Sequence, residues 1–82
     1  MEVKYSKQAE RFLDKLDEKT AKRITSRIEK LPYGDVKKLR NSENTYRLRV
    51  GGHRIRFIKN GRQFFITEIE TRANFYKMGV IL

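Results

Sequence analysis

Four arginines between residues 46 and 57 are the side chains of this sequence best suited to chemistry on phosphate groups. They alternate with apolar residues in Tyr46-Arg-Leu-Arg-Val-Gly-Gly-His-Arg-Ile-Arg-Phe57. A guanidinium group donates paired hydrogen bonds to phosphate and stays charged at any physiological pH. The same property makes arginine a poor general base. The segment therefore predicts a site that binds an anion.

The spacing of these arginines predicts a β-hairpin with Gly51-Gly52 as its turn. Side chains alternate between the two faces of a strand, and a two-residue turn fixes how the strands pair. Arg49 should then lie opposite Arg54, and Arg47 opposite Arg56, all on one face. Like charges in such pairs are unfavourable by a few tenths to about 1 kcal/mol each. Retaining them favours a polyanionic ligand over a solvated basic face without a partner.

Composition limits the classes of protein and partner. The chain has 82 residues, with 20 Lys and Arg against 10 Asp and Glu, a formal net charge of +10 and a pI near 10.2. We expect one domain over residues 1–82 and a nucleic acid or strongly acidic protein as partner. The sequence has no cysteine and one histidine, His53. We therefore expect no metal site and no cofactor.

The sequence also predicts where the protein acts. No apolar run approaches the length needed to span a bilayer, and the N-terminus lacks the basic and apolar regions of a secretory signal. We expect a cytoplasmic protein without a membrane partner.

Hydrophobic periodicity predicts one strand and two helices in the first part of the chain. Val3 to Tyr5 is typical of a short strand, and Ser6 and Asp17 are expected to cap the two helices. The apolar residues recur at three- and four-residue intervals in both helices, as Ala9, Phe12, Leu13 and Leu16, and then as Ala21, Ile24, Ile28 and Leu31.

Three strands are predicted in the second part, after a basic connection over residues 37–44. The arginine hairpin supplies two strands, and Asn60-Gly61 indicates another tight turn before a third strand over residues 63–70. That strand has apolar residues at both odd and even positions, which face opposite sides of a strand. We therefore expect it to be covered on one face and partly covered on the other. The predicted fold is α+β, with two N-terminal helices packed on one face of a small, mainly antiparallel four-stranded sheet. The arginines should occupy the other face.

Four motifs in this order resemble the RelE/ParE superfamily of toxins from type II toxin-antitoxin systems. They are an early serine at a strand-to-helix turn, Leu31-Pro-Tyr-Gly-Asp-Val-Lys-Lys-Leu39, the arginine hairpin, and R-x-x-x-Y from Arg72 to Tyr76. The resemblance covers nearly the whole chain and implies a RelE-like fold. It also implies an acidic antitoxin that wraps and silences the toxin.

The resemblance to RelE-like toxins further implies a ribosome-dependent endonuclease that cleaves messenger RNA without a metal, using the RNA 2′-hydroxyl as nucleophile. By that resemblance Arg47 and Arg49 would position the RNA and balance charge at the 2′-oxygen. Arg54 and Arg72 would hold the scissile phosphate, and Tyr76 would stack on a base or transfer a proton. Further nucleic-acid contacts are expected from Lys37, Lys38, Arg40 and Arg56.

This chain departs from the RelE-like pattern in three respects near the predicted site. Glu70 stands where many RelE-like toxins have a basic residue, and it could act as a base or pair with an arginine. His53 stands where an aromatic residue is usual, and its parity places it toward the helices as a packing residue. The chain also has arginine where a lysine is common at Arg47 or Arg49, which narrows the choice of general base.

Two alternatives to an endonuclease remain open at this point. ParE-like members of the superfamily inhibit DNA gyrase, and Glu70 favours that activity. A basic nucleic-acid-binding module without toxicity is also compatible with the composition.

Overall fold

Residues 2–40 and 42–71, which are the part of the chain that the computed structural model describes, form two helices and five strands. The elements are β1 (Glu2–Tyr5), α1 (Lys7–Lys15), α2 (Glu18–Glu29), β2 (Asp35–Lys38), β3 (Thr45–Val50), β4 (His53–Asn60) and β5 (Gln63–Thr71). The predicted α+β class is confirmed.

Both helices begin where their capping residues predict. The Ser6 side chain accepts a hydrogen bond from the Ala9 amide at 3.1 Å, and the Asp17 carboxylate accepts one from the Thr20 amide at 3.0 Å. Each cap satisfies an amide that has no partner within its helix. Hydrogen bonding with the side chain of Thr20, and then with its amide, lowers the pKa of Asp17 below its ordinary value.

The sheet has five strands in the order β1-β5-β4-β3-β2, rather than the predicted four. The added strand is β2, which overlaps the start of the segment predicted as a basic connection and pairs antiparallel with β3. Val36 is the reason: it lies opposite Leu48 and packs against the core, while the charged residues around it are exposed. Charged residues are common on edge strands, and here they made the sequence of this strand resemble that of a loop.

The sheet is mixed, because β1 pairs in parallel with β5 while every other neighbouring pair is antiparallel. The two helices make the parallel pairing possible. They carry the chain from β1, at one edge of the sheet, to the opposite edge, where the antiparallel strands begin.

The predicted hairpin is confirmed in its register. Arg49 lies opposite Arg54, Arg47 opposite Arg56, and Val50 opposite His53 across the turn. Gly51 has φ 59°, a backbone conformation that costs glycine little. The second tight turn is also present, with Gly61 at φ 61° and Arg62 between the paired residues Asn60 and Gln63.

A β-bulge changes which side chains of β5 face the helices. Phe57 pairs with Ile66, but Arg56 pairs with Glu68, so Thr67 is an additional residue in β5. Because one additional residue reverses the alternation, Ile69 faces the helices as Phe64 and Ile66 do, and Glu68 and Glu70 face the arginines. One face of β5 is thus buried and the other partly covered, as expected, and of its apolar residues Phe65 alone lies on the arginine side.

Side-chain hydrogen bonds stabilise this bulge from both sides. The Thr67 hydroxyl donates to the Arg56 carbonyl at 3.1 Å, and the Ser6 hydroxyl donates to the Thr67 carbonyl at 2.8 Å. Ser6 thus caps α1 and also satisfies the backbone of β5 beyond the end of β1.

One core lies between the helices and the sheet. It consists of Ala9, Ile24, Ile28, Leu31, Leu48, Val50, Ile55, Phe57, Phe64, Ile66 and Ile69. Both helices therefore pack on one face of the sheet, as predicted. Within residues 2–40 and 42–71, no helix has the length and apolar character needed to cross a bilayer.

Candidate nucleic-acid interface

Four guanidinium groups lie together on the sheet face opposite the helices, which we call the arginine face. Alternation along β3 and β4 places them there, because the residues between them, such as Leu48 and Ile55, are buried in the core. We call the set of Arg47, Arg49, Arg54 and Arg56 the arginine cluster. The sequence prediction that they share one face is confirmed.

Carboxylates on the neighbouring strands partly neutralise this cluster. Glu70 approaches Arg54 at 3.7 Å and Glu68 approaches Arg56 at 3.3 Å, each measured from a carboxylate oxygen to Nη1. The second contact is also a hydrogen bond donated by Arg56. Glu70, whose role the sequence left open, therefore pairs with an arginine.

These two ion pairs are partly exposed, so their arginines can exchange the carboxylate for another anion. Arg54 and Glu70 retain 44% and 43% side-chain exposure, and Arg56 and Glu68 each retain 43%. Pairs at such sites contribute about 0 to 1 kcal/mol each, since water solvates the separated charges well. A phosphate could replace the carboxylate at little cost in stability.

The two arginines of β3 differ from those of β4. Arg47 has only 17% side-chain exposure, with Nη1 at 3.5 Å from Asp35 Oδ1. That nitrogen is buried and has no hydrogen-bond partner within the described residues. Asp35 therefore balances the charge of Arg47 without satisfying its hydrogen-bonding capacity. Arg49 has no carboxylate within 4.0 Å among residues 2–40 and 42–71.

The basic residues near β2 do not form one surface. Lys37 lies opposite Arg47 on the arginine face, whereas Lys38 lies opposite Tyr46 on the other side of the strand. Arg40 is exposed beyond the end of β2. Alternation in a strand separates Lys37 from Lys38. Of these residues, Lys37 thus lies beside the arginine cluster, and the nucleic-acid contacts expected from Lys38 and Arg40 stay a prediction.

Arg72 and Tyr76, the other two predicted catalytic residues, lie outside the described residues. The site that the structure describes is therefore the arginine cluster, Lys37 and three carboxylates.

His53 packs on the helix side, as its parity indicates. Its ring meets Phe12 edge to face, with 5.9 Å between the ring centroids. Burial lowers the pKa of His53 below its ordinary value, and the positive charge of Arg23 lowers it further. The imidazole thus lies across the sheet from the arginine cluster and cannot act there.

Sequence reasoning missed the carboxylate partners other than Glu70. For Glu68 part of the signal was present, because Arg54-Ile-Arg56 in one strand precedes Glu68-Ile-Glu70 in the next, and opposite charges on adjacent strands favour cross-strand pairs. Counted without a break from the turn after Asn60, however, Glu68 would lie opposite Ile55, and the bulge at Thr67 brings it opposite Arg56. No group of three or more potential metal ligands lies together within the described part of the chain.

Comparison with known proteins identifies the family. The sequence matches the ParE toxin of type II toxin-antitoxin system, parDE, over residues 3–74. The chain belongs to this toxin family. The RelE/ParE superfamily predicted from the ordered motifs is thereby confirmed. No curated protein matches the sequence.

Two solved structures share the fold of this toxin. One is the RelB-RelE antitoxin-toxin complex from Methanococcus jannaschii, with 26% identity, a TM-score of 0.74, and coverage of 93% of this chain and 98% of that chain. The other is the archaeal RelE-RelB complex from Pyrococcus horikoshii OT3, with 25% identity, a TM-score of 0.74, and coverage of 88% and 94%. The RelE-like fold is therefore confirmed, as a mixed sheet of five strands.

Proposed function

We propose that this toxin inhibits translation by cleaving messenger RNA on the ribosome, as a single cytoplasmic domain that needs no metal. The observation that carries the proposal is the arginine cluster on one face of the sheet, with Lys37 beside it. Five cations there face three carboxylates. Such a surface retains a net positive charge that attracts a polyanion.

The proposed reaction is an in-line displacement at phosphorus. The deprotonated RNA 2′-oxygen attacks the adjacent phosphorus, and the bond from phosphorus to the 5′-oxygen breaks. The departing 5′-oxygen takes a proton from water, so that a 2′,3′-cyclic phosphate and a 5′-hydroxyl result. Negative charge on the phosphoryl oxygens increases during this step, so fixed guanidinium groups stabilise it. Arg49 and Arg54 suit this role, the first because no described carboxylate oxygen lies within 4.0 Å of its guanidinium group and the second because its ion pair is exposed. In this proposal Arg47 positions the RNA, and Arg72 and Tyr76 join the site as the family resemblance implies.

The 2′-hydroxyl must also lose a proton, and arginine cannot accept it. Glu68 and Glu70 are the carboxylates nearest to Arg56 and Arg54, so they are the described candidates for that acceptor.

An acidic antitoxin is the second partner that we propose. The two similar structures are both complexes of RelE with its RelB antitoxin. The net charge of +10 favours an acidic partner for this chain as well.

Expression of the toxin alone tests this function. We expect growth arrest, with new 5′ ends inside the coding regions of ribosome-bound messages. Arg49→Ala and Arg54→Ala should abolish both effects, whereas Arg27→Ala, which removes an exposed arginine from α2, should retain them. Arrest without new 5′ ends would contradict RNA cleavage. Growth without arrest would indicate a nucleic-acid-binding module that is not a toxin.

Inhibition of DNA gyrase is the second candidate function, and the match to the ParE toxin family favours it. The neutralisation of three arginines by Asp35, Glu68 and Glu70 is also compatible with a role that requires no RNA chemistry. A supercoiling assay with purified gyrase separates the two. Inhibition of supercoiling, with intact messages in the cell, would establish the ParE-like activity.

A further inference from the structure

An exposed aromatic ring lies on the arginine face. Phe65 in β5 has 41% of its surface exposed. Within the described residues, the other large apolar side chain that is exposed is Tyr33, at 77%, in the loop before β2. Of these two, Phe65 is the one that the sheet holds in place.

The neighbours of Phe65 join it to the arginine cluster. Phe65 lies opposite Ile58 of β4 on one side and opposite Lys4 of β1 on the other. Ile58 precedes the turn and follows Arg56 by two residues in the same strand. A strand rises about 3.3 Å per residue. Measured along β4 from Ile58, Phe65 is therefore about 7 Å from the level of Arg56, two residues away, and about 13 Å from that of Arg54, four residues away. One strand of nucleic acid can therefore reach both regions.

The β-bulge explains why Phe65 is isolated. On one side of Thr67, Phe64 and Ile66 face the helices, and on the other side the reversed alternation also turns Ile69 toward them. Phe65 alone among the apolar residues of β5 faces the other way. An apolar surface as small as Phe65 with Ile58 does not resemble the large apolar core of a protein interface. A planar ring beside cations is instead typical of surfaces that bind single-stranded nucleic acid.

We propose that Phe65, supported by Ile58, is a stacking platform for a base of the single-stranded RNA whose phosphates the arginine cluster holds. An aromatic ring accepts any base, because every base presents a flat face. The platform would therefore add affinity and fix the position of the strand without selecting its sequence. This inference rests on the proposed function, because it requires RNA on the arginine face.

Fluorescence anisotropy with the full-length toxin tests the platform. The probe is a labelled single-stranded oligonucleotide of 2′-O-methyl RNA, which cannot be cleaved through its 2′-oxygen. Base stacking on an aromatic side chain predicts that Phe65→Ala weakens binding about 5- to 150-fold, whereas Phe65→Trp retains it. The dependence of affinity on salt should be unchanged in both variants, since no charge is lost. Arg54→Ala, in contrast, should reduce the log-log salt slope by about 0.7.

An abasic oligonucleotide of the same length provides the matched control. It should bind the wild-type toxin more weakly than the normal oligonucleotide, and Phe65→Ala should not weaken it further. If Phe65→Ala keeps its circular dichroism spectrum and binds the normal oligonucleotide as the wild type does, the platform is wrong while the function stands. If the wild type does not bind RNA, both proposals fail. If Phe65→Ala loses affinity for an acidic protein partner and not for RNA, the ring belongs to a protein interface and the platform is excluded.

Discussion

The two faces of the sheet use alternate residues of the same strands for different purposes. The helix side contains Leu48, Ile55 and Phe57, and no polar side chain is buried within the described residues. The arginine face contains charged residues that are paired across strands and remain partly exposed. Stability therefore depends mainly on one face of the sheet, and the other face is free to bind a ligand.

Truncation of a core ring should produce the largest loss of stability. Phe57 is buried, stacks on Tyr46 and meets Phe64 edge to face. We expect Phe57→Ala to lower the free energy of unfolding by about 3 to 5 kcal/mol, out of a total of about 4 to 12 kcal/mol. Urea denaturation measures the change. Phe65→Ala, on the other face, is the control and should lose about 1 kcal/mol or less. Equal losses would remove the distinction between the faces.

Gln8 should contribute the next largest share of stability. Its side-chain amide donates to the Ile69 carbonyl and accepts from the Ile69 amide, both at 2.9 Å, along the edge of β5 that β1 does not cover. Gln8→Ala leaves two backbone groups without these partners, so we expect a loss of about 1 to 3 kcal/mol. Gln63→Ala breaks an exposed contact to Glu2 at 3.4 Å and should change stability by less than about 0.5 kcal/mol. A harmless Gln8→Ala would mean that water replaces the amide fully.

Removing carboxylates from the arginine face should change binding more than stability. The double substitution Glu68→Gln and Glu70→Gln releases Arg56 and Arg54 from their ion pairs. We expect tighter binding of single-stranded RNA and a log-log salt slope steeper by up to about 0.7, because Arg56 can neutralise one more phosphate while Arg54 already contributes in the wild type. Anisotropy titrations at several salt concentrations measure both, with Glu18→Gln on α2 as the control. Weaker binding would instead show that the carboxylates hold the arginines in their binding positions.

The smallest effect concerns pH and belongs to the helix side. Because the folded protein lowers the pKa of His53, the unfolded chain binds the proton more readily. The associated stability is present above the unfolded pKa of about 6.5 and is lost as pH falls toward the lower folded pKa. Melting temperatures between pH 8 and 5 should therefore fall more for the wild type than for His53→Gln. If the melting temperatures of the two proteins fall equally with pH, the pKa of His53 is the same in the folded and unfolded states.

Local patterns were enough to predict much of this protein. Ser6 and Asp17 marked the helix starts, and Gly51-Gly52 determined the hairpin register that unites the arginine cluster. These features depend on residues close together in sequence, where alternation and turn geometry leave few choices. The ordered motifs likewise indicated the superfamily.

Other features of the site depend on contacts between residues distant in sequence. Val36 forms a strand because Leu48 and the core accept it, which no local pattern in a charged segment reveals. The bulge at Thr67 exists because it places Ile69 in the core and Glu68 and Glu70 beside arginines, where unbroken alternation would bury both carboxylates. The sequence by itself thus determined that four arginines share a face. Only the tertiary structure decided which carboxylates neutralise them and which ring lies beside them, because those pairings depend on the register between strands.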